Sequence, residues 1–203
     1  MSLPTARALA GLGAAFAYPR PGYRDALRSC LQEIAATNPD AAAEVRAFCD
    51  GIAGLAHWEL EDVYTQSFDL NPLATLEVGW HLYGEQYRRG RFLVRSRELL
   101  AQVGIDEAGE LPDHLMSLLP AVGRLERTEA ATLSAACLLP AIDKMLAGLA
   151  KKENPFEHLL KAVRLSLEPL AAEAPELPSP AVSPDLVQIG AADRLPPRKG
   201  AVP

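Results

Sequence analysis

From Pro4 to about Ala172 the apolar side chains recur at steps of three and four, and no convincing run of alternating β-branched residues interrupts them. A chain patterned this way buries its apolar faces helix against helix. Pro4 opens a first helix that stops before Pro19, with Leu9, Leu12 and Phe16 on one face. Tyr23 to Ala36 forms a second, carrying Leu27, Leu31 and Ile34. Asn38-Pro39-Asp40 ends it and starts a third, striped by Val45, Phe48, Ile52 and Leu55. A short fourth, about 59–68, carries Val63, Tyr64 and Phe68, and Asn71-Pro72 marks a turn after it.

The longest pattern spans 74–103, where Leu76, Trp80, Tyr83, Tyr87, Gly90 and Val94 alternate in steps of four and three. Leu82, Leu93 and Leu100 broaden that stripe, which predicts one central helix contacted on more than one side. Gly79, Gly84 and Gly90 within it each cost about 1 kcal/mol of helix stability. They make sense where another helix or a bound peptide approaches the backbone, or where the helix breaks. Leu111-Pro112-Asp113 reads as the next helix start, Thr128-Glu129 begins another that Pro140 kinks, and Asn154-Pro155 opens the last.

The pattern ends at about Ala172. Seven of the 17 prolines fall beyond it, among isolated aliphatics too sparse for a core. The expectation is an all-α fold: a single helical-bundle domain of seven to eight helices over residues 1–172, then a proline-rich flexible tail over 173–203. With 26 acidic and 20 basic residues the net charge is −6, which argues against a general nucleic-acid binder. Cys30, Cys49 and Cys137 are too sparse for a disulfide framework and fit no zinc spacing. They read as small buried hydrophobes in a reducing compartment. Arg7 and the uncharged run to Ala17 loosely imitate a secretory signal, yet the bulky residues there keep helical spacing. No uncharged run reaches the ~18–20 residues of a membrane span; Ala130 to Ile142 is the longest contender. A soluble monomer is expected.

Catalytic motifs are missing: there is no glycine-rich phosphate loop, no GxSxG, no HExxH and no evident nucleophile–base pair. Glu77, His81 and Glu85, spaced by four, line one face of the long helix. They can hold a metal, but a solvated face with His81 bridged by its helical neighbours is the simpler reading. Arg88, Arg89, Arg91, Arg95 and Arg97 are either a wet face or a surface for an acidic partner. Asp113, beside Pro112 at a helix start, suits a capping carboxylate, and His114 next to it suits either a structural or a groove-rim role. Tyr64 with Phe68, and Trp80 with Tyr83 and Tyr87, read singly as core aromatics.

In order, these pieces form a resemblance. Tyr64-Thr65-Gln66-Ser67-Phe68-Asp69 resembles the tyrosine–phenylalanine–aspartate segment of the nitrate reductase assembly chaperones, the NarJ group. His81-Leu82-Tyr83-Gly84-Glu85 followed by Arg89-Gly90 resembles their histidine–x–x–glycine–glutamate … arginine–glycine helix. Glu110-Leu111-Pro112-Asp113-His114-Leu115 is similar to their ELPDHL segment and more loosely to the proline–x–aspartate–histidine motif of the TorD/DmsD chaperones. Leu12 through Tyr18-Pro19 looks like their first helix. The likeness runs from about residue 5 to 170, and Gln86-Tyr87-Arg88 departs from the serine–arginine–aspartate expected there.

The resemblance implies a non-enzymatic, cytoplasmic chaperone without a metal or a stably bound cofactor of its own. Its partner is the N-terminal segment of a molybdenum enzyme's catalytic subunit, held until the bis-molybdopterin guanine dinucleotide cofactor is inserted; nitrate reductase or a related enzyme exported by the twin-arginine route fits. Tyr64, Phe68, Trp80, His81, Glu85, Arg89, Asp113 and His114 are the expected peptide site, with Glu85 and Asp113 near the mouth for arginines of the client. An accessory subunit retained in a mature respiratory complex is the alternative.

Overall fold

Where the sequence supplies a capping side chain, a helix begins. Thr5 Oγ1 accepts the Ala8 amide at 3.1 Å and Asn38 Oδ1 the Ala41 amide at 3.0 Å, so α1 (Ala6–Ala14) and α3 (Pro39–Gly51) start there. Asn38 also reaches across the bundle, donating through Nδ2 to the Leu165 carbonyl at 3.0 Å. The computed structural model describes residues 3–107, 109–150 and 153–175. Its other helices are α2 (Tyr23–Ala35), α4 (His57–Tyr64, running into a π turn, Thr65–Asp69), α5 (Val78–Tyr83), α6 (Tyr87–Gln102), α7 (Leu115–Val122), α8 (Arg127–Leu149) and α9 (Phe156–Ala171). Among the described residues there is no strand, only one isolated antiparallel bridge between Glu77 and His114. The tail expected over 173–203 lies, from residue 176 onward, outside the described residues.

The expected stripes are the buried faces. Leu9, Leu12 and Phe16 of the first helix are buried where α1 packs on α2 and α7. Helix α9 lies along α3, with the Phe48 and Phe156 rings 5.0 Å apart. Cys30 and Cys137 are buried free thiols and Cys49 is half-buried; burial pushes the Cys30 and Cys137 thiols up to about 12. Helix α8 is long and apolar enough to cross a membrane, yet Ala131, Leu138, Ala141, Ile142 and Met145 are buried in the bundle, as in a core helix. Pro140 has no amide to give Ala136, and α8 absorbs this by widening into a π turn over Ser134–Leu138 rather than by a simple kink.

The single helix expected over 74–103 is a helix–turn–helix. Gly84 adopts φ +56°, ending α5, and the chain re-enters as α6 at Tyr87. The apolar phase carries across this break, which is why periodicity alone runs the two segments together. Of the expected stripe, Tyr87 (86% exposed) and Val94 stand outside the core. Glu77, His81 and Glu85 therefore share no face: Glu77 precedes α5 and Glu85 lies beyond Gly84. Among the described residues no group of three His, Cys, Asp or Glu is placed to hold a metal ion.

Candidate functional site

The π turn at the end of α4 is closed by the Leu70 amide donating to the Thr65 carbonyl at 2.9 Å. It turns Phe68 and Asp69 toward α5 and releases Leu70 and Leu73 into solvent, 66% and 65% exposed. Opposite this loop stands Trp80, whose indole N–H donates to the Pro72 carbonyl at 3.0 Å. The Arg89 guanidinium from α6 sits over the Trp80 ring, 5.2 Å from its centroid. Between them is an open cleft of about 300 Å³ lined by Phe68, Asp69, Leu70, Pro72, Thr75, Glu77, Trp80 and Arg89. Arg89 Nε is buried there with no hydrogen-bond acceptor.

Asp113 supports this wall from behind. The Val78 amide donates to the Asp113 carbonyl at 3.0 Å and the Leu115 amide to the Leu76 carbonyl at 2.9 Å, a short ladder across the bridge. The Asp113 carboxylate then takes the Gly79 amide on Oδ2 at 2.9 Å, satisfying a free N–H in the first turn of α5, while Oδ1 is buried without a partner. Burial pushes this carboxyl up to about 6 against the pull of the Gly79 hydrogen bond and the nearby Arg89 charge. The expected helix start at Pro112 is thus displaced. Asp113 caps the neighbouring α5, and His114 caps α7 by accepting the Met116 amide on Nδ1 at 3.1 Å. The His114 ring is held below the usual histidine range by burial, against the counter-pull of Glu110, Glu77 and Asp69.

His81 is turned inward. Its Nε2–H donates to the Thr75 carbonyl at 2.7 Å, and desolvation lowers its pKa. Its partner is a loop carbonyl, not the helical neighbours the sequence suggests. Tyr64 is buried among Tyr18, Phe68 and Phe156, with ring centroids 5.2–5.6 Å away, and its hydroxyl donates to the Phe16 carbonyl at 2.9 Å.

The eight expected site residues therefore separate by place. Phe68, Trp80 and Arg89 line the cleft. Asp113, His114, His81 and Tyr64 stand behind it as buried supports, and Glu85 is exposed past the Gly84 turn. Asp113, fully buried, cannot meet a partner's charge at the mouth, because its carboxylate is committed to α5. The carboxylates that line the cleft are Asp69 and Glu77; together with Glu110 they also act on the buried Tyr64 and His114 behind it. Sequence reading missed Leu70, Pro72 and Thr75 as lining residues, since Asn71-Pro72 signals a turn but not what the loop faces.

A family model described as nitrate reductase delta subunit matches residues 32–162, a span containing the whole cleft. The chain belongs to that family. The delta-subunit family is one of assembly chaperones for molybdenum enzymes, not a catalytic one. No curated protein matches the chain.

Proposed function

We propose that the chain is a cytoplasmic, system-specific chaperone that binds the N-terminal segment of a molybdoenzyme's catalytic subunit in the Trp80 cleft. It holds this client back from export or membrane attachment until the bis-molybdopterin guanine dinucleotide cofactor is inserted. The client is nitrate reductase or a related enzyme, and the chaperone acts as a monomer without a stably bound cofactor.

One observation carries the reading: a cleft that sets the apolar surfaces of Phe68, Leu70, Pro72 and Trp80 beside the carboxylates of Asp69 and Glu77, with the exposed Leu73 following Pro72 in the same loop. Exposed apolar surface rimmed by charge is what a peptide-binding groove presents. At about 300 Å³ the cleft lies at the bottom of the usual ligand-pocket range (~300–1,000 Å³), so it suits an anchoring side chain rather than an entire ligand. Asp69 and Glu77 favour a segment carrying lysine or arginine beside that apolar anchor.

The test is co-purification of the tagged chain from cells able and unable to make the molybdenum cofactor. The proposal expects the catalytic subunit with it in cofactor-deficient cells and its release once the cofactor is present. Stoichiometric retention in the finished enzyme identifies an accessory subunit instead.

A further inference from the structure

The α5 side of the cleft wall has little helical support of its own. Helix α5 has six residues, too short to persist unaided, and the loop before it offers Leu70 and Leu73 to solvent. Both rest on one face of α8. Lys144 Nζ donates to the His81 carbonyl at 2.5 Å, in the last turn of α5, where carbonyls lack helical partners and the helix dipole attracts a cation. One turn along, Gly148 lies against the loop so closely that a Cβ there would sit 2.2 Å from the Leu73 carbonyl oxygen. Asn71 Nδ2 reaches the Gly148 carbonyl at 3.5 Å. Lys144 and Gly148 share a helical face, and neither lines the cleft. They hold what does: His81 precedes nothing but the end of α5 and follows Trp80, while Leu73 follows Pro72, whose carbonyl receives the Trp80 indole.

We propose that Lys144 and Gly148 are positioning residues that set the width of the cleft by fixing α5 and the 70–75 loop to the same face of α8. The inference rests on the reading of the cleft as the client site. Its test uses a fluorescein-labelled peptide with the N-terminal sequence of a molybdoenzyme catalytic subunit from the same organism, followed by anisotropy. Lys144→Met keeps the aliphatic stem and removes the donors; affinity falls about tenfold, the scale of a lost charge-assisted hydrogen bond. Lys144→Arg, still able to reach the His81 carbonyl, restores most of it. Gly148→Ala drives the Leu73 backbone outward and weakens binding too, whereas Asp143→Asn, on the same helix but paired with Arg164, does not.

A purely structural role would lower the melting temperature without these distinctions, so Trp80 emission is read in parallel in a Trp58→Phe background. It shifts in Lys144→Met and Gly148→Ala and returns in Lys144→Arg. Wild-type binding matched within about twofold by both variants, or unchanged Trp80 emission in both, overturns the proposal. If the wild type binds no peptide, the cleft reading fails, and the emission still decides whether Lys144 and Gly148 fix α5.

Discussion

Asp113 caps a helix to which it does not belong: its Oδ2 receives the Gly79 amide of α5 at 2.9 Å while its neighbour His114 caps α7. The contact is tight, since a Cβ on Gly79 would lie 2.7 Å from that oxygen and 2.8 Å from Phe92 Cδ1. Asp113→Ala leaves the Gly79 amide without its acceptor, and stability falls by about 1–3 kcal/mol. Asp113→Asn retains an acceptor oxygen and costs less than Asp113→Ala. Gly79→Ala overpacks the same spot and costs about 1–3 kcal/mol. Urea unfolding, read as a shift in midpoint at constant slope, measures all three.

The same carboxyl gives a pH signature. Held up to about 6 in the fold by burial, Asp113 titrates near ~3.9 when unfolded. Between those values the folded chain binds more protons, so this group's contribution to stability declines as pH rises from about 4 to about 6 and is constant above. Buried His81 and His114 act in the opposite sense. Their pKa values lie below the unfolded ~6.5, so their contribution is full above that pH and is lost on acidification. Asp113→Asn removes the first effect and leaves the second. Its stability should therefore fall more steeply than wild type between about pH 6.5 and 5. Parallel curves for the two proteins would refute the assignment.

Most of the fold could be read from the sequence because its determinants are local. The faces carrying Leu9, Leu12 and Phe16, or Val45, Phe48 and Ile52, are buried as their spacing requires. The break at Gly84 was not legible, since three glycines sit in one apolar pattern and only the backbone shows which has positive φ. Residues that line the cleft were legible where a motif holds them, as with Phe68 and Arg89, and Trp80 only as part of the apolar stripe. The supporting contacts were less so: the partner of Asp113 is 34 residues away and that of Lys144 is 63. No local signal ties such pairs together.

Leu70 and Leu73 separate binding from folding. Both are largely exposed, so replacing each by serine changes stability by no more than about 0.5 kcal/mol. If the lip of the cleft holds an apolar anchor, the double variant loses most of its affinity for the client peptide. Thermal melts and peptide titrations on the same samples give both quantities, and unaltered affinity would remove the leucines from the site.

The rim carboxylates are expected to act through charge. Asp69→Asn with Glu77→Gln weakens binding of a basic client segment, mainly through slower association, and makes binding less sensitive to salt. Stopped-flow association at low and high ionic strength reads the effect. A salt dependence equal to that of the wild type would mean that these carboxylates serve only the fold.

The proposal stands or falls on the client segment occupying the Trp80 cleft rather than a second hollow of about 460 Å³ between Arg24, Cys49, Leu55 and His57. Adding the client's N-terminal peptide to the ¹⁵N-labelled chain, and following amide and indole resonances by NMR, tests it directly. The Trp80 indole and the Leu70, Leu73 and Gly79 amides are expected to shift together while those of Cys49 and Leu55 stay in place. Shifts centred on Cys49 and Leu55 with a stationary Trp80 indole would contradict it.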